Sequence, residues 1–146
     1  MRTVKVPLAG RPYPIRIGAG LLAQIGEQCA RLRLGKRCAV ISDSNVAKRY
    51  RKKTLDSLKG QGFDPLFISL PAGEKSKTLK NVQACYGQLA EHRLERSSFI
   101  VALGGGVVGD LGGLCAATYL RGVDFVQVPT TLLAQVDSSV GGKVGV

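Results

Sequence analysis

Short apolar runs alternate along this chain with longer stretches in which apolar residues recur every three or four positions. Cys38-Ala39-Val40-Ile41, Leu66 to Leu70 and Phe99 to Leu103 are too short for helices and apolar on both faces, as buried parallel strands are. Phe125 to Val128, stopped by Pro129, reads the same way. Between these runs, Leu21, Leu22, Ile25, Cys29 and Leu32 share one helical face, and Gly35 closes the segment. Val46, Tyr50, Leu55 and Leu58 mark a second helix, ended by Gly60-Gln61-Gly62, and Leu79, Val82, Tyr86 and Leu89 mark a third from Thr78 to about His92. A glycine-rich helix is predicted from 104 to about 119, and a short one over Leu132 to Val136, capped by Thr130 or Thr131. The start alternates instead: Thr3 to Leu8 and Tyr13 to Gly18 read as two strands. Pro12 and Pro14 suit an edge there, having no N–H to give to a ladder. The succession predicts an α/β, Rossmann-like fold: a mostly parallel sheet flanked by helices, with an N-terminal edge hairpin.

The length of 146 residues, 45% of them hydrophobic, suits one domain with one sizeable core. No apolar stretch approaches the roughly 18 residues of a membrane span, so a cytoplasmic protein with no membrane partner is expected. Cys29, Cys38, Cys85 and Cys115 are irregularly spaced within apolar patterns, which predicts free packed thiols. The net charge of +11 would suit a nucleic-acid binder, but its distribution argues otherwise. Residues 1–60 hold 14 Lys/Arg against 3 Asp/Glu, while residues 61–146 hold 7 of each. The densest run, Lys48-Arg49-Tyr50-Arg51-Lys52-Lys53, falls on a predicted helix, where a solvated face is expected and nucleic acid is not.

Chemistry gathers where strands end. Gly104-Gly-Gly-Val-Val-Gly-Asp110 follows the Phe99 to Leu103 strand directly, so backbone N–H groups at the start of the next helix can approach a phosphate. The Gly104-x-Gly106-x-x-Gly109 spacing matches the dinucleotide fingerprint, yet it opens a late βα unit and not the first, which weakens any inference of hydride transfer. Gly109, Gly112 and Gly113 together cost about 3 kcal/mol of helix propensity, offset either by close helix-on-sheet packing or by a cofactor against the helix start. Asp110 is either a helix-end carboxylate or an acceptor for a ribose or substrate hydroxyl. Pro71-Ala72-Gly73-Glu74-Lys75-Ser76-Lys77-Thr78 ends another strand, as a nucleotide loop or a solvated cap, and Asp43 ends a third, as an N-cap or a ribose acceptor. Lone His92 reads as a surface residue without partners.

These segments together resemble 3-dehydroquinate synthase: Pro71-Ala-Gly-Glu-Lys-x-Lys77, Leu103-Gly-Gly-Gly-Val-Val-Gly-Asp110, Tyr119-Leu-Arg-Gly122, and the long Val128-Pro-Thr-Thr-Leu-Leu-Ala-Gln-Val-Asp-Ser-Ser-Val-Gly-Gly-Lys143. Val144 stands where that family usually has threonine. The resemblance covers essentially the whole chain, but the family is about twice as long or more. It therefore implies that residues 1–146 are the NAD-binding domain of a two-domain enzyme whose helical metal-binding domain is absent here. Val146 coming three residues after Lys143 fits the same expectation.

The resemblance implies conversion of 3-deoxy-D-arabino-heptulosonate 7-phosphate into 3-dehydroquinate and phosphate, in the shikimate pathway, by the whole enzyme. It implies NAD as cofactor, a divalent metal (zinc or cobalt) held by a Glu and two His outside this chain, and a homodimer. By matching motif, Asp43 resembles a ribose acceptor and Gly73, Glu74, Lys75 and Lys77 a nucleotide loop. Gly105, Gly106, Val107, Val108, Gly109 and Asp110 resemble the pyrophosphate and ribose site, and Thr130 and Thr131 further NAD contacts. Asp137 and Lys143 resemble residues facing the substrate, with Lys143 also beside the cofactor. Arg121 resembles an arginine reaching a neighbouring subunit's substrate phosphate, a role its bidentate fork suits. The competing expectations are a related sugar-phosphate cyclase, a metal-dependent polyol dehydrogenase, or a non-catalytic nucleotide-binding module.

Overall fold

The two central apolar runs become strands because neighbours on both sides of the sheet bury both of their faces, while the outer two are partly covered. The computed structural model describes residues 1–146. Its elements are β1 (Arg2–Val6), β2 (Tyr13–Ile17), α1 (Ile25–Arg31), β3 (Arg37–Asp43), α2 (Ser44–Gly60), β4 (Asp64–Leu70), α3 (Leu79–Glu91), β5 (Phe99–Gly104), α4 (Gly106–Thr118) and β6 (Asp124–Pro129). Four strands form one parallel sheet in the order β4-β3-β5-β6, with Val40 opposite Phe67 and Val101, and Val101 opposite Val126. Ala39, Ile41, Ile68, Ile100 and Ala102 face Val82, Cys85 and Leu89 of α3 and Leu111 and Cys115 of α4. Cys38, Val40, Phe99, Val101 and Leu103 face Ile25 and Cys29 of α1 and Leu58 of α2. All of β5 is buried, and each large side chain so enclosed contributes about 1.5–3 kcal/mol.

The hairpin forms, but as a sheet of its own: β1 pairs only with β2, antiparallel, and neither extends the four-stranded sheet. Its expected edge position is therefore refined to a separate two-stranded ribbon, which leaves Val4 and Ile17 exposed. The four cysteines are free and buried, and burial pushes the Cys29 thiol up to about 11 and Cys38 to about 12. Thr78 caps α3 by accepting from the Asn81 amide at 3.3 Å. On α2, Lys48, Arg49, Lys52 and Lys53 are exposed and Lys52 pairs with Asp56, so the basic run is a solvated face. His92 corrects its sequence reading, for its ring is half-buried with Nε2 3.6 Å from Asp64 Oδ1.

Close packing accounts for two of the three helix glycines. A Cβ on Gly112 would stand 3.1 Å from that of Ala102, which lets α4 lie tight on β5. A Cβ on Gly113 would stand 2.2 Å from Cγ1 of Val144, so this glycine accommodates the segment carrying Lys143.

Candidate nucleotide and substrate site

The chain leaves β3 through α2 to reach β4 on one side, then crosses through α3 to β5 on the other. The connections thus diverge between the carboxyl ends of β3 and β5, where open α/β sheets hold ligands. Ser42 reinforces this junction, its buried hydroxyl donating to the Leu103 carbonyl at 2.7 Å. Asp43 stands on one lip and the Gly104-Gly105-Gly106 turn on the other.

Asp43 reconciles its two readings. Oδ1 caps α2, accepting from the Asn45 amide at 2.8 Å and the Val46 amide at 3.0 Å, while Oδ2 has no protein partner. Across the junction no side chain caps α4, so the amides of Gly106, Val107 and Val108 at its first turn carry the positive end of the helix dipole uncompensated. Val108 offers only that amide, since its side chain is buried in the core. Gly105 and Gly106 are closely approached: a Cβ would come within 3.1 Å of Thr131 Cγ2 and 3.3 Å of Ser138 Oγ respectively, so a side chain there would have to push these neighbours aside by a few tenths of an ångström. The narrow crevice beside them, bordered by Gly105, Gly109, Gln127, Pro129, Ala134 and Ser138, holds no more than about one water. A dinucleotide would therefore lie along the open rim.

The loop after β4 is more ordered than a solvated cap. Ser76 is buried and donates to the Pro71 carbonyl, Asn81 Nδ2 donates to the Ser76 carbonyl at 2.7 Å, and Gly73 takes a φ of 109° that favours glycine. Lys77 is thereby aimed across to α4, where Nζ lies 2.7 Å from Asp110 Oδ2 and 4.0 Å from Glu74. The hydrogen bond to Asp110 holds the Lys77 ammonium above its ordinary value, against the opposing effect of burial. Glu74 and Lys75 remain exposed at the loop surface.

Beyond β6 the two threonines differ. Thr131 Oγ1 accepts from the Ala134 amide at 3.2 Å and so caps the helical segment that opens at Leu132 and continues as the wide turn Ala134–Ser138, as one of the two threonines was expected to do. Thr130 Oγ1 is buried with no hydrogen-bond partner, an unmet polar atom on the same rim. Asp137 and Lys143 are exposed. Arg121 is not brought to this rim. It follows the far end of α4, a helix of 13 residues and so about 20 Å long, and it sits in a strained turn with Leu120 at φ 50° and Arg121 at φ 68°. Sequence reasoning missed Ser138 and Gln127, which face Gly106 and Gly109. Gln127 alone left a signal, as a polar residue inside an apolar strand. No group of three or more His, Cys, Asp or Glu in this chain is arranged to hold a metal, and the expectation of zinc or cobalt assigned its ligands to residues outside this chain.

The family model of the 3-dehydroquinate synthase N-terminal region matches residues 67–146. The chain belongs to that family. Among curated 3-dehydroquinate synthases, that of Geobacter metallireducens is 54% identical and that of Desulforamulus reducens 51%, each over the whole chain. The chain spans 41% of the length of each, so these synthases are much longer than the segment described. Among solved structures, 2-deoxy-scyllo-inosose synthase complexed with carbaglucose-6-phosphate, NAD+ and Co2+ is 28% identical with a TM-score of 0.84, over 94% of this chain and 38% of that one. The 2-epi-5-epi-valiolone synthase of Streptomyces hygroscopicus subsp. jinggangensis, with NAD+ and Zn2+ bound, is 28% identical with a TM-score of 0.79, over 97% of this chain and 39% of that one. A probable glycerol dehydrogenase from Sinorhizobium meliloti shares the fold at 21% identity and a TM-score of 0.61, over 77% of this chain and 27% of that one.

Proposed function

We propose that this chain is the NAD-holding part of a 3-dehydroquinate synthase, the enzyme that turns 3-deoxy-D-arabino-heptulosonate 7-phosphate into 3-dehydroquinate and phosphate. The observation that carries the reading is the gathering, on one rim, of an uncapped helix start, two glycines with little room for a Cβ, a half-free carboxylate on Asp43 and an unpartnered hydroxyl on Thr130. These groups fit a dinucleotide. The α4 amides would receive the pyrophosphate, Asp43 Oδ2 would accept from a ribose diol, and Thr130 would donate to the same ligand. Lys77 holds the Asp110 side chain in place beside the helix start, where its carboxylate can accept from a further hydroxyl.

When bound, NAD supplies the transient oxidation of an alcohol that acidifies a neighbouring C–H and so permits loss of phosphate, without net redox change. In this reading Lys143 and Asp137 contact the substrate, and Arg121, at the opposite end of α4, serves the substrate phosphate of a second copy, so the whole enzyme works as a homodimer. The face formed by Leu132, Leu133 and Val136, which are 74%, 70% and 67% exposed, is where we seat the further residues that the longer relatives possess.

The test is a chimera in which these 146 residues replace the matching segment of the Geobacter metallireducens synthase. Phosphate release from the heptulosonate phosphate that requires NAD, and that Arg121→Ala removes, is the expected result. A correctly folded chimera that is silent, or one indifferent to NAD, overturns the reading.

A further inference from the structure

Two contacts far apart in sequence grip the loop that carries Lys143. On its leading side the Gly141 amide donates to the hydroxyl of Tyr13 at 3.2 Å, joining positions 128 residues apart. Gly141 has a φ of 105°, so the turn that offers this amide favours glycine. On the trailing side Val144 fills the notch left by Gly113, where a Cβ would stand 2.2 Å from Val144 Cγ1 and 3.3 Å from the Phe125 ring. Lys143, between the two, is exposed and has no ion-pair partner. A cation whose backbone is fixed on both sides while its charge stays free is built to meet an anion that arrives later.

The hairpin makes sense in the same terms. Neither β1 nor β2 contributes a buried residue, and Tyr13 makes the hairpin's one hydrogen bond to a residue beyond position 20. A ribbon that adds so little to the core but reaches over to the Lys143 loop serves that loop.

We propose that Tyr13 is a positioning residue: its hydroxyl, with the Gly113 notch, fixes the backbone of residues 141–144 so that Lys143 presents its ammonium to the phosphate or carboxylate of the substrate. The proposal rests on the reading of Lys143 as substrate-facing. The variant is Tyr13→Phe, which removes only the hydroxyl. In the 146-residue chain, amide hydrogen exchange at Gly141 should accelerate about fivefold while β5 amides are unchanged; an unchanged Gly141 rate overturns the proposal. In the chimera the same variant should raise KM for the phosphorylated substrate about threefold to tenfold, with kcat and NAD affinity within about twofold. Once Lys143→Ala is present, Tyr13→Phe should add nothing, and an undiminished effect in that background would show that Tyr13 acts elsewhere. If Lys143→Ala alone leaves the kinetics unchanged, the substrate role of Lys143 fails, and the Gly141 exchange rate still decides whether Tyr13 anchors the loop.

Discussion

The loop and helix start at 71–78 and 104–110 differ from the segment at 130–144 in how they are held. In the former, Ser76 is buried, Asn81 closes the loop and Lys77 bridges to Asp110, so the polar groups are aimed before any ligand is present. In the latter, the Thr131 cap, the Tyr13 tie and the Val144 plug hold a segment whose leucines are exposed and whose Asp137 and Lys143 point at nothing in this chain. On the proposed reading, the contrast teaches that the nucleotide loop and helix start are aimed through their side chains, while residues 137–143 are held through their backbone and keep their charges free.

The sharpest way to break this contrast is Lys143→Ala in the chimera. It should lower kcat/KM by about tenfold to a hundredfold, the size of a lost charge-assisted contact, with the melting temperature within about two degrees and NAD affinity little changed. Loss of activity through unfolding would return Lys143 to the surface lysines. Lys77→Ala should act in the opposite way, weakening NAD binding about tenfold and stability by about 1 kcal/mol, because it frees Asp110 and the loop together. A stability loss without any change in affinity would make the bridge purely structural.

Smaller still is Thr130→Val. Removing a buried hydroxyl that has no partner should leave stability equal or slightly higher, while NAD binding weakens severalfold; a loss of stability would show that the hydroxyl is satisfied in solution. The smallest effect is on pH dependence. The bridge holds Lys77 above its ordinary value, so its contribution is whole at neutral pH and begins to fall only above the usual lysine value of about 10.4. The stability gap between the parent chain and Lys77→Met should therefore close as pH rises through the raised value. A gap that persists there would contradict the ion pair as its source.

The strands were legible in the sequence because β3 and β5 bury both faces and so permit no polar residue in mid-run; the predicted strand at 99–103 differs from β5 by one residue. Asp43, the glycine turn and the 71–78 loop were legible as candidates, since each directly follows an apolar run. What lay hidden was pairing across the chain. Nothing in the residue pattern joins Lys77 to Asp110, Tyr13 to Gly141 or Gly113 to Val144, because these contacts depend on which strands lie side by side. Arg121 shows the same limit, for only the direction of α4 reveals that it leaves the rim occupied by Asp110. The hairpin was found by its alternation, but alternation does not say which sheet an edge belongs to.

The claim that these 146 residues themselves carry the nucleotide-holding rim is tested most directly by calorimetric titration of the purified chain with NAD. The account predicts a dissociation constant in the high micromolar range or weaker, about −5.5 kcal/mol or less favourable, because the rim is open, and it predicts that Gly106→Val abolishes the signal. No binding at millimolar NAD, or submicromolar binding, or binding indifferent to Gly106→Val, would contradict it.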